Sequence, residues 1–85
     1  MWNEKSMHIK IKLFATLVNY IPGTVAGVAF DFKLPDRATV SELVKSLKIP
    51  QKEVAIIYVN GKNKTLQYEL DNADEVSIFP LIGGG

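Results

Sequence analysis

TVSELVKSLKIP, residues 39–50, breaks the period of everything around it. Val40, Leu43, Val44 and Leu47 recur at i, i+3, i+4 and i+7, which gathers them into one apolar stripe along a helix. Thr39 followed three residues later by Glu42 is a capping box, in which each side chain satisfies a backbone N–H left without a partner at the helix start. Pro50 has no N–H to continue the ladder, so the spacing predicts a helix over about 39–48.

Working outward, the period becomes two. In HIKIKLF (8–14), Ile9, Ile11 and Leu13 share one face, while His8, Lys10, Lys12 and Phe14 share the other, as in a half-buried strand. VAFDFKL (28–34) alternates in the same way, with Val28, Phe30, Phe32 and Leu34 expected inward. Between them lies ATLVNYIPGTVAG, with a short helical turn expected around Leu17–Tyr20 and turn residues at Pro22, Gly23 and Gly27. The two strands therefore read as a hairpin.

Downstream, VAIIYVNG (54–61) is a near-continuous apolar run that reads as an interior strand, leaving through an Asn60-Gly61 turn. KTLQYEL (64–70) fits either a short strand or a helical turn. DNADE (71–75) reads as a solvated polar turn, and in VSIFP (76–80) Val76 and Ile78 oppose Ser77 and Phe79. Strands on both sides of one helix imply an α+β domain, a mixed sheet of four or five strands with the helix across one face.

Composition narrows what such a domain can do. Eighty-five residues make one domain, and 47% apolar against 22% charged residues is the balance of a chain that folds. Ten Lys plus Arg against nine Asp plus Glu give a net charge of +1 with no basic block, which argues against nucleic acid or an acidic membrane as partner. With no cysteine, thiolate metal sites and cysteine nucleophiles are excluded, and any sulfur must come from elsewhere. His8 has no second His or Cys for a zinc site, and Asp71, Asp74 and Glu75 lack the ligand spacing of a calcium loop, so no metal is expected. The stretch MWNEKSM resembles no secretory signal, and no run approaches a membrane span, so the expectation is a cytoplasmic protein. Residues 1–6 are expected to be a loose extension, 7–80 the domain and 81–85 a flexible glycine tail.

The sequence closes on FPLIGGG, residues 79–85. A glycine run packs nothing and costs entropy to order; what it offers is a thin chain that enters a narrow cleft where a side chain would clash. At about 3.3–3.6 Å per extended residue such a tail reaches roughly 17 Å. The group it would deliver is the α-carboxylate of Gly85.

LFATL after the first strand, the VNG turn, DEVSIFP and the closing glycines together resemble the MoaD/ThiS family of sulfur carriers, which have the ubiquitin-like β-grasp fold. The resemblance covers about residues 7–85 and is closer to the MoaD branch in length. Leu81 stands where the family commonly shows a second proline, and three glycines stand where two are usual. It implies a non-catalytic carrier. An adenylating enzyme of the ubiquitin-activating type would use ATP to activate Gly85, and a persulfide donor would convert it to a thiocarboxylate. That group would give its sulfur to molybdopterin, within a synthase whose large subunit is the partner, or, in a ThiS-like carrier, to thiazole or another acceptor. No cofactor is expected on the chain itself. Gly83 and Gly84 would let the tail enter both partner sites. A ubiquitin-like protein modifier and a non-catalytic β-grasp interaction module remain open as readings of another class.

Docking needs a surface as well as a tail. Phe14 and Phe79 both fall opposite the aliphatic faces of their strands, so both are expected on the open side of the sheet near the tail, with Leu81 and Ile82 following.

Overall fold

The computed structural model describes residues 5–81. Its strands are β1 (Ser6–Leu13), β2 (Phe30–Pro35), β3 (Val54–Val59), β4 (Lys62–Asn63) and β5 (Glu75–Pro80), with one helix, α1 (Val40–Ser46). They form a five-stranded sheet in the order β2-β1-β5-β3-β4, with β1 and β5 parallel at its middle and every other neighbour antiparallel. β1 begins at Ser6, inside the stretch expected to be loose, because Met7 is already buried against the core.

Period two sorts the strands as expected. Ile9, Ile11, Leu13, Val76, Ile78, Ile57 and Val59 are buried on the side that α1 covers with Val40, Leu43, Val44 and Leu47. Thr39 caps α1 with the full capping box: Glu42 N–H donates to Thr39 Oγ1, and Thr39 N–H donates to Glu42 Oε1. The helix stops before Pro50 is reached. Lys48 takes a left-handed backbone (φ 62°), its N–H donates to the Lys45 carbonyl and that of Ile49 to the Val44 carbonyl. This is a Schellman ending with lysine where glycine is usual, and the buried pair Val44 and Ile49 supplies the apolar contact that accompanies it.

Three further expectations need correction. Val28 is 56% exposed and precedes β2, which starts only at Phe30; the turn residues of the preceding loop run further than the alternation implied. β3 is not interior in the sense of being covered on both faces: Ile56 and Tyr58 are exposed, and its outer neighbour β4 has two residues. Asp74 is no solvated turn residue. It is 7% exposed, and its carboxylate accepts from Asn60 Nδ2 at 2.8 Å and from Asp71 N–H at 2.8 Å.

Residues 64–70 form neither a strand nor a helix; they carry turns and a single bridge between Glu69 and Thr39. Their Leu70 is buried, and Leu66 and Tyr68 pack on the core. Asn60 and Gly61 both take positive φ, as a two-residue hairpin turn demands, and join β3 to β4. The loop after β1 opens with a 3-10 turn, Ala15–Tyr20, anchored by buried Leu17, so its helical turn starts two residues earlier than expected. A second 3-10 turn, Gln51–Glu53, leads into β3.

Candidate functional site

The open face of the sheet is assembled by register. His8 lies opposite Lys33 and Lys10 opposite Asp31, while β5 sets Glu75 beside Lys10 and Ser77 beside Lys12. β3 then adds Tyr58 opposite Ser77 and Ile56 opposite Phe79. One end of the face is thus ionic, the other apolar.

Phe14 and Phe79 meet at the apolar end. Their rings stack with centroids 4.2 Å apart and planes 8° from parallel, and Tyr58 meets Phe79 edge to face at 5.8 Å. The expectation that both phenylalanines lie on the open side holds, but neither is fully exposed. Each covers part of the other, and the loop after the first 3-10 turn comes close as well: a Cβ at Gly27 would stand 3.5 Å from Phe14 Cε1. Gly27 also has φ +76°, so a side chain there would be strained, although its Cβ would meet Phe14 only at ordinary contact distance.

Beside this stack runs a groove of about 550 Å³ lined by Ala55, Ile56, Tyr58, Phe79, Pro80 and Leu81. Its large exposed apolar members are Ile56 (43%), Tyr58 and Leu81 (74%). Sequence reasoning did not pick out Ile56 and Tyr58, because an unbroken apolar run hides which residues face which way. The pairing of Ile56 with Phe79 reveals it, since partners across a ladder share a face.

Where β5 ends, the chain is tied down once more. Val54 pairs with Pro80, and Leu81 N–H donates to the Glu53 carbonyl at 3.2 Å. The side chain of the same Glu53 accepts from Tyr20 Oη at 2.6 Å. That hydrogen bond, then burial, then the nearby carboxylate charge hold the Tyr20 phenol above its ordinary pKa of 10.0. Ile82, Gly83, Gly84 and Gly85 lie outside the described residues, as do residues 1–4.

His8 is exposed, and its backbone N–H donates to Asn72 Oδ1. Among the described residues no group of three or more metal-ligating side chains comes together. Nor is any helix among them long and apolar enough to cross a membrane.

Known structures share the architecture. The Haloferax volcanii HVO 2177 protein superposes with a TM-score of 0.76 at 24% identity, over 100% of this chain and 92% of the other. The H. volcanii small archaeal modifier protein 1 gives 0.69 at 18% identity, over 89% and 99%. At these identities the likeness is one of fold. A candidate molybdopterin converting factor, subunit 1, from Pyrococcus furiosus gives 0.66 at 27% identity, again over 89% of this chain and 99% of the other. No curated protein matches. The ThiS family pattern matches residues 11–85, from the first core strand to the last glycine. With the one-helix, five-stranded ubiquitin-like sheet around it, that match decides the family: the chain belongs to the ThiS family, in the MoaD/ThiS group of sulfur carriers.

Proposed function

We propose that the chain carries sulfur for molybdopterin synthesis as a MoaD-like small subunit, with Gly85 as the residue that bears it. The observation that carries the reading is the aromatic stack of Phe14, Phe79 and Tyr58, with its groove, placed where β5 hands over to the tail. A docking patch at that point holds a partner against the root of the chain it must receive. The match to a candidate molybdopterin converting factor subunit favours this branch over thiazole synthesis.

The chemistry follows from what a carboxylate lacks. It is a poor electrophile, because its charge repels nucleophiles and oxide does not leave. An adenylating partner joins the Gly85 carboxylate to the α-phosphate of ATP and releases pyrophosphate. A partner's persulfide then attacks the carbonyl and AMP departs, leaving an acyl disulfide. Two electrons from a thiol cleave its S–S bond, and Gly85 keeps one sulfur as a thiocarboxylate. Because the chain has no cysteine, no internal thiol competes for the activated carbonyl. Phe14, Phe79 and Leu81, with Ile82 beyond, form the docking side, and Gly83 and Gly84 give the passage into two successive clefts, the adenylating enzyme's and the large synthase subunit's. The carrier contributes no catalytic group and binds no cofactor in this scheme; ATP is bound by the partner.

Incubation with an adenylating enzyme of this family, ATP and a sulfur donor is expected to add the mass of one oxygen-to-sulfur exchange at Gly85. Transfer to a molybdopterin precursor by the large synthase subunit tests the branch. An unchanged mass, with an enzyme active on a related carrier, rejects the carrier reading; isopeptide adducts on lysines of other proteins would move the chain to the modifier class.

A further inference from the structure

Beyond the last paired residues of β5, the tail's first anchor is a single backbone hydrogen bond, Leu81 N–H to the Glu53 carbonyl. Its acceptor belongs to a 3-10 turn of three residues, Gln51–Glu53, too short to hold its own position. The strand that follows holds it only in part: Val54 pairs with Pro80, but the register between β3 and β5 shifts between Val54 and Ile56. Two side-chain hydrogen bonds brace the turn as well. On one side Gln51 Nε2 donates to Ser41 Oγ of α1 at 2.7 Å, and on the other Tyr20 Oη donates to Glu53 Oε1 at 2.6 Å.

The second brace is the stronger candidate for a role of its own. A phenol donating to a carboxylate is charge-assisted and short, and here it is half-buried at both ends. Tyr20 itself is well founded. It closes the 3-10 turn Ala15–Tyr20, which is pinned by Leu17 in the core and followed by Thr24, whose hydroxyl donates to the Ile21 carbonyl. A chain of contacts thus runs from the core through Tyr20 and Glu53 to Leu81. A tyrosine placed only to satisfy its own hydroxyl would need no partner whose backbone holds the tail.

We propose that Tyr20 and Glu53 are positioning residues, whose phenol–carboxylate hydrogen bond holds the Gln51–Glu53 turn and so fixes the direction in which the chain leaves β5. The proposal rests on the carrier reading for its benefit: a tail root with a set direction enters a partner's cleft more often per docking event than one that swings. Docking through the aromatic stack and threading of the tail are then separate steps governed by separate residues.

Tyr20→Phe removes one oxygen and keeps the ring. Glu53→Gln keeps an acceptor, whereas Glu53→Ala removes it. In the free, full-length chain, amide hydrogen exchange at Leu81 is expected to quicken about tenfold in Tyr20→Phe and Glu53→Ala and to stay near the unaltered rate in Glu53→Gln. With the adenylating enzyme, the first two variants are expected to lose roughly three- to tenfold in kcat for adenylate formation while KM changes less than about twofold, because the docking face is untouched. Leu81 exchange that is indifferent to Tyr20→Phe overturns the proposal, as does faster exchange with unchanged kcat. A lower melting temperature with full kcat per folded molecule would reduce Tyr20 to an ordinary packing residue. If the unaltered chain forms no adenylate, the carrier reading fails, and the Leu81 exchange rates alone still decide whether the pair anchors the tail root.

Discussion

The two ends of the open sheet face are built on the same strands and follow opposite rules. At the end away from the tail, His8, Lys10, Lys12, Asp31, Lys33 and Glu75 stand in cross-strand register, with ion pairs from Lys10 to Asp31 at 3.0 Å and Lys12 to Glu75 at 3.5 Å. At the tail end, three aromatic rings and Ile56 take the corresponding positions. Charges that are well hydrated resist removal from water, so the ionic end discourages a partner, while the apolar end gains from being covered. On the proposed reading, the contrast would favour docking at the place where the tail begins.

A core position gives the scale for testing that contrast. Ile78 neighbours Phe79 in sequence but is fully buried, and Ile78→Ala is expected to cost about 2–5 kcal/mol in denaturant unfolding, with the folded fraction keeping its partner affinity. Phe79→Ala is expected to reverse the pattern. It should cost about 2 kcal/mol of binding, roughly 30-fold in Kd, and less than the core variant in stability, measured by titration calorimetry and chemical denaturation on the same samples. A Phe79 variant that unfolds as readily as Ile78→Ala while binding normally would show that the aromatic end is core rather than interface.

At the ionic end the weight of stability lies beneath the surface charges. Asp74→Ala strands the Asn60 amide and the Asp71 N–H, and is expected to cost about 1–3 kcal/mol of stability with no effect on partner affinity. Tyr20 supplies a titration. Its phenol is held above 10.0, so the hydrogen bond to Glu53 is fully present below the unfolded-state value and lost as pH rises through the folded one. The tyrosinate absorbance difference between the native chain and Tyr20→Phe is expected to show a midpoint above that of an exposed tyrosine. Smallest of all, Lys10→Gln with Asp31→Asn should change stability by no more than about 0.5 kcal/mol and leave Kd unchanged, since the pair is exposed. A large loss of affinity from that double variant would erase the distinction between the two ends.

How much of this was legible in the sequence depended on whether the signal was local. The helix, its cap at Thr39 and the faces of β1 and β5 were readable, because capping and period two act within a few residues. The end of α1 was not: proline was the visible breaker, but Lys48 turned the chain first through a left-handed conformation that lysine seldom takes. β3 misled for a related reason, since Val54–Val59 carries apolar residues on both faces and only its neighbours determine which face stays open. The Tyr20–Glu53 bond joins residues 33 positions apart, with no pattern linking them. Asp74 likewise reads as a polar turn until Asn60 arrives from another hairpin.

The placement of β5 has a mechanical consequence. Its ladders to β1 on one side and β3 on the other lie across the line along which a tug on the tail would act. Such a load meets the hydrogen bonds of both ladders in shear and together, whereas the terminal strand of a sheet edge can be peeled away one bond at a time. If, as proposed, the tail is drawn out of one enzyme before entering the next, this placement would protect the fold from being unravelled by that release.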